Sequence, residues 1–253
     1  MTFSEDFTGP DLDPARWLSS YLPVWSSSAT SAATYTIQNG LLTLRIPPEQ
    51  GLWCPGDHDP PLRVSGIQSG SWSGPVGSGL GQQRFRDGLV VREQQERFEG
   101  WLLSSGRVAI RCAMSLSPRS MAAMWLSGFE DDVAQEQCGE LCVVEVFGRE
   151  LSVVPPSAEV GVGIKPFRDP ALTQDFDAPR LDLDVTDFHT YAVDWDAAEA
   201  VFTVDDEVVR RCAAPPTYPM QVMIAVFDFP DWSQGGDDHL VPAFEVDWIR
   251  GAD

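Results

Sequence analysis

The sequence predicts an all-β fold, a β-sandwich of two sheets packed face to face. Three observations carry this expectation. No stretch of the 253 residues keeps a helical period. Nine tryptophans, 21 glycines and 20 prolines suit strands joined by loops better than helices. Short alternating or continuous apolar segments recur along the chain, and many short strands without intervening helices imply stacked sheets. With 43% hydrophobic content the chain can bury one sizeable core, so residues 1–253 read as a single domain without internal repeats.

Taken in order, Tyr35-Thr36-Ile37 and Leu42-Thr43-Leu44-Arg45-Ile46 alternate apolar and polar residues as half-buried strands do. Residues from about 47 to 100 interrupt this regularity as a loop-rich insertion, with Pro47-Pro48, a Pro- and Asp-rich run at 55–61, and three glycines within 77–81. Loops this long in one domain are functional or disordered. Alternation returns at Val108-Ala109-Ile110-Arg111-Cys112. A hairpin is expected over residues 191–204, turning through Asp196-Ala197-Ala198-Glu199, with a further turn at Asp205-Asp206. Residues 220–227 are continuously apolar, as in a strand buried on both faces. The Gly235-Gly236-Asp237-Asp238-His239 loop lacks EF-hand spacing and reads as a solvated turn.

Residues 139–148 combine strand-forming Val143, Val144, Val146 and Phe147 with two carboxylates, Glu140 and Glu145, and glycines bracket the segment. Desolvating a carboxylate in such a strand is costly, so two of them call for a reason. A pair of glutamates flanking a glycosidic bond can hydrolyse it. In a regular strand, residues five apart point to opposite faces. Glu140 and Glu145 therefore share a face only if a β-bulge inserts one extra residue between them. The plain alternative is an amphipathic strand with one glutamate solvated and the other at its end.

This Glu-x-x-x-x-Glu segment resembles the bulged active-site strand of glycoside hydrolase family 16, laminarinase-like branch, whose motif reads Glu-x-Asp-x-x-Glu. Further segments resemble that family in the same order: Phe3-Ser4-Glu5-Asp6-Phe7 with Leu12-Asp13 and Trp17, Asn39-Gly40-Leu41-Leu42-Thr43-Leu44, Gly106 to Arg111, Met124-Trp125-Leu126, Phe188 to Trp195, and Val246-Asp247-Trp248-Ile249-Arg250. The resemblance implies a concanavalin A-like jelly roll with a concave substrate cleft. It implies a retaining, endo-acting hydrolase of β-1,3- or mixed-linked glucan, with Glu140 as nucleophile and Glu145 as general acid/base. Cys142 stands where the family carries its central aspartate, and a thiol is a weaker hydrogen-bond donor. Trp125 takes the active-site tryptophan position, without the Trp-Pro that commonly precedes it. Lys165 falls where the family often brings a histidine; it either changes the field around Glu145 or, more simply, sits solvated at the surface. Trp53 and Trp72, in the long loops, offer faces for sugar stacking or else cap the core. No catalytic cofactor is implied. A structural calcium is, with the Gly40 carbonyl and the Asp247 carboxylate in ligand positions. His189 reads as a structural hydrogen-bonder.

The formal net charge of −21, from 17 basic and 38 acidic residues, disfavours nucleic-acid binding and attraction to anionic membranes. It does not repel a neutral polysaccharide or oligosaccharide partner, and it also serves solubility. No apolar run approaches a membrane span. Cys54, Cys112, Cys138, Cys142 and Cys212 are odd in number and irregularly spaced, which suits reduced thiols, with Cys112 a small buried hydrophobe. Met1 to Asp6 show neither a basic n-region nor an apolar h-region, so a cytoplasmic place is expected, extracellular only if a leader has been removed. Two other readings stay open: a non-hydrolytic glycan-binding module, and a cytosolic enzyme whose cleft serves a small glycoside or other metabolite.

Overall fold

Alternation along the strands assigns one face of each sheet to a shared interior, and two antiparallel sheets stack accordingly into the expected jelly roll. The computed structural model describes residues 2–131, 135–236 and 240–252. The back sheet runs in the order Glu207–Ala213, Glu199–Val204, His189–Trp195, Gly106–Ser115, Ala243–Ala252, Leu41–Arg45, Tyr35–Gln38, with Thr2–Glu5 also paired to Ala243–Ala252. The cleft sheet runs Asp175–Asp177, Gly161–Lys165, Glu140–Phe147, Ser120–Gly128, Met220–Asp228, Arg63–Gln68, with Leu102–Leu103 also on Met220–Asp228.

The expected hairpin forms between His189–Trp195 and Glu199–Val204, with Tyr191 opposite Val204. Its turn is held by the Asp196 carboxylate, which accepts from the Ala198 and Glu199 amides at 2.7 and 3.1 Å. Asp205 and Asp206 both adopt positive φ, 48° and 68°, the backbone of a tight hairpin turn. Met220–Asp228 is buried along its whole length because its two faces meet two apolar layers. Val222, Ile224 and Val226 face the sandwich core, whereas Met223, Ala225 and Phe227 join a second cluster on the cleft side.

That second cluster corrects the picture of residues 47–100 as an interruption. Arg63–Gln68 is a strand of the cleft sheet, in register with Met220–Asp228 from Val64 opposite Phe227 to Gln68 opposite Met223. The loops around it bury Trp53, Leu62, Leu89 and Val91 with Leu22, Val24 and Trp25. Burying these side chains over the sheet turns the insertion into a wall beside the cleft. All five cysteines are free and buried. Among the described residues, no helix is long and apolar enough to cross a membrane. Asp237, Asp238 and His239 of the expected solvated turn lie outside the described residues.

Candidate active site

The strand Glu140–Phe147 lies between Ser120–Gly128 and Gly161–Lys165, and its register shows how two glutamates five apart reach one face. Opposite Ser120–Gly128, Glu140 faces Ser127, Cys142 faces Trp125, Val144 faces Met124 and Glu145 faces Ala123. One residue, Val143, has no opposite partner, so the register shifts between Cys142 and Val144. A bulge of this kind offsets the period-two alternation by one residue. Leu141, Val143, Val144 and Val146 therefore enter the sandwich core while Glu140, Cys142 and Glu145 line the cleft. The bracketing glycines are required by close packing: a Cβ on Gly139 would stand 2.2 Å from Leu172, and its amide donates to the Tyr218 hydroxyl at 2.8 Å. Gly163, at φ 133°, makes the matching close approach on the neighbouring strand, to the Asp175 carbonyl.

Glu140, Cys142 and Glu145 open into a cavity of about 210 Å³ shared with Trp125, Lys165, Tyr21, His58, Phe227 and Phe229. Lys165 is not a solvated surface lysine. Its ammonium donates to Glu145 Oε2 at 2.7 Å and lies 4.2 Å from the centre of the Phe176 ring. Burial works against the Lys165 charge, and with Cys142 neutral it is the contact with Glu145 that favours the ammonium. Burial is also the main reason the Glu140 pKa rises to about 7; Lys165 opposes the rise and the charges of Glu145 and Glu130 add to it. Among the described residues, nothing hydrogen-bonds the Glu140 carboxyl. Cys142 turns its thiol to the Gly161 carbonyl at 3.7 Å, and burial pushes its pKa well up, so it is neutral. Trp125 keeps its ring between Tyr21 and Phe227, with centroids 6.4 and 6.2 Å away. Its buried indole N–H has no hydrogen-bond partner among the described residues.

Tyr21 and His58 are the cleft residues that sequence reasoning missed. Tyr21 approaches Glu140 closely enough for that charge to raise its pKa, although burial raises it more. His58 sits in the long loop with Nδ1 on the Pro60 carbonyl at 2.8 Å. Only its place in an overlong loop hinted at a role. Trp53, expected to stack on sugar, is instead 3% exposed. Its N–H donates to the Tyr21 carbonyl at 3.1 Å, and Tyr21, His58 and Phe85 pack around its ring, so it buttresses the two cleft residues from behind. Trp72 stands apart from the glutamates, in a second recess with Arg84, Glu130 and Arg168, its N–H donated to the Phe129 carbonyl at 2.7 Å. His189 lies on the back sheet, bridging Asp205 and the Asp184 carbonyl at 2.6 and 3.0 Å.

At the positions expected to ligate calcium, the one carboxylate is already paired. The Asp247 carboxylate is taken by the Arg111 guanidinium, which already supplies a positive charge. Gly40 occupies the turn between Tyr35–Gln38 and Leu41–Arg45, at φ 76°. Among the described residues no group of three or more His, Cys, Asp or Glu side chains is placed to hold a metal ion.

A jelly roll whose cleft sheet carries two carboxylates on one bulged strand belongs to the class of glycoside hydrolase folds. Residues 103–250 match the sequence profile of glycosyl hydrolases family 16, and the chain belongs to this family. No curated protein sequence matches it. Among solved structures, it is similar to a GlcNAcα1-4Gal-releasing endo-β-galactosidase from Clostridium perfringens at 25% identity and a TM-score of 0.79; 98% of this chain is covered, and it spans 61% of that enzyme's length. A laminarinase from Flavobacterium sp. UMI-01 matches at 18% identity and a TM-score of 0.64, over 99% of both chains. A β-1,3-1,4-glucanase (lichenase) from a mouse hindgut metagenome matches at 14% identity and a TM-score of 0.62, covering 99% of this chain and 98% of that one. These last two likenesses concern the fold.

Proposed function

We propose that the protein is a retaining glycoside hydrolase that cleaves within a β-linked glycan, using Glu140 and Glu145. The observation that carries this reading is the bulge at Val143, which sets both carboxyls on one wall of one cavity. One carboxylate attacks the anomeric carbon while the other, protonated, gives its proton to the leaving oxygen; the resulting ester is then hydrolysed by water activated at the second group. In the family assignment Glu140 attacks and Glu145 is the acid and base. Trp125 and Phe227 supply apolar surface for a sugar ring.

Two backbones compete as substrate. The bulged motif favours β-1,3- or mixed-linked glucan. The higher identity and TM-score to the endo-β-galactosidase favour a β-galactosyl linkage. A panel of β-1,3-glucan, mixed-linked glucan and β-galactosyl glycans with product analysis separates them. Glu140→Gln is expected to abolish turnover with the fold intact. Glu145→Gln is expected to lose about 10²–10⁴-fold on the glycan and far less on an aryl glycoside with a good leaving group. Binding without turnover by the wild type would favour a glycan-binding module. Undiminished turnover by both variants would place the chemistry elsewhere.

A further inference from the structure

Glu140, Glu145 and Lys165 are three ionisable groups in one small cavity, and they are not equivalently partnered. The Lys165 ammonium is in contact with Glu145 at 2.7 Å, whereas no described residue donates to Glu140. Cys142, between them on the same face, spends its thiol on the Gly161 carbonyl. The other groups facing the pair do not redress the asymmetry. Tyr21 is neutral, its pKa raised by burial and by Glu140. His58 is tied to the Pro60 carbonyl through Nδ1. Glu130 is paired with Arg168 at 2.9 Å and contributes only further negative field at Glu140.

We propose that Lys165 holds the resting pair in the opposite proton arrangement to the one the reaction uses. Glu145 rests ionised, Glu140 rests protonated, and turnover runs through the minority form in which that proton has moved to Glu145. The inference rests on the glycosidase reading above. Both arrangements carry one proton, so the pair changes no net charge on passing between them. In the minority form the Glu140 carboxylate bonds to the anomeric carbon as the glycosidic bond breaks, and the leaving oxygen takes the Glu145 proton. The regenerated Glu145 carboxylate again faces the Lys165 ammonium. Lys165 is thus a positioning residue acting through Glu145: it makes that group a readier donor when protonated, a rarer one at rest, and a weaker base towards water. The near-neutral pKa of Glu140, caused chiefly by burial, agrees with this arrangement.

The test pairs carboxyl titration with kinetics. In protein carrying ¹³C-labelled glutamate side chains, a carboxyl resonance titrating near neutrality is expected in the wild type and absent in Glu140→Gln. In Lys165→Met that near-neutral resonance should move up in pH, because Lys165 opposes the Glu140 rise. On the glycan found by the panel, the acid limb of kcat/KM should move up by about one to three pH units. Its optimum should rise about tenfold, because more of the pair occupies the productive form. Lys165→Gln, which keeps a polar side chain, should shift the limbs in the same direction. A near-neutral resonance that persists in Glu140→Gln overturns the proposal. So do Lys165 variants whose rates fall with unmoved limbs. If no glycan is turned over, the functional reading falls, and the carboxyl titration still decides the resting proton arrangement.

Discussion

Ionising Glu140 costs the folded protein more than the unfolded chain, because burial strips water from its carboxylate and no described residue donates to it. Its folded pKa of about 7 lies above the ordinary 4.5. Between those values the unfolded chain has released the proton and the folded protein has not, so stability falls as pH rises through this window and levels off above it. Glu140→Gln removes that dependence. Urea unfolding should find the variant close to wild type at about pH 4 and more stable by roughly 2–3 kcal/mol at about pH 8. An equal difference at both pH values would mean that Glu140 ionises freely. Glu140, Cys142 and Glu145 were legible because a six-residue segment of one strand carries them. Tyr21 and His58 were not, since only the folding of distant loops over the cleft sheet sets them beside that strand.

At the scale of the element, one unpaired residue decides which side of the sheet the chemistry faces. Deleting Val143 leaves Glu140 and Glu145 four residues apart, and a regular strand of period two then keeps both on the cleft face without a bulge. What the deletion removes is one side chain of the core layer filled by Leu141, Val143, Val144 and Val146. The deletion variant is expected to keep glycan turnover and to show a lower melting temperature. A folded variant without turnover would show that the bulge sets more than the shared face, such as the separation of the two carboxyls. The spacing in the sequence demanded such a bulge. Its location at Val143, against Met124 and Trp125, emerged only from the pairing of the two strands.

Across the whole molecule, charge pairs stand near where the family resemblance implied a cation. Thr2–Glu5 pairs along Ala243–Ala252, and Arg250 reaches back to the Asp6 carboxylate and, at 3.0 Å, to the Glu5 carbonyl. Arg111 holds Asp247 on the same sheet. Neither calcium nor a chelator is therefore expected to change the melting temperature; a rise with added calcium would reveal a site these residues do not build. Sequence alone determined the all-β class, the Asp196 hairpin, the doubly buried strand at 220–227 and the identity of the glutamate pair. Each of these follows from local periodicity, turn chemistry or close spacing along the chain. Tertiary structure decided that residues 47–100 form a strand and a wall, that Trp53 lies behind the cleft and Trp72 outside it, and that Lys165 meets Glu145. Those outcomes depend on which distant segments bury their apolar surface against one another, and contacts between distant segments leave no period in the sequence.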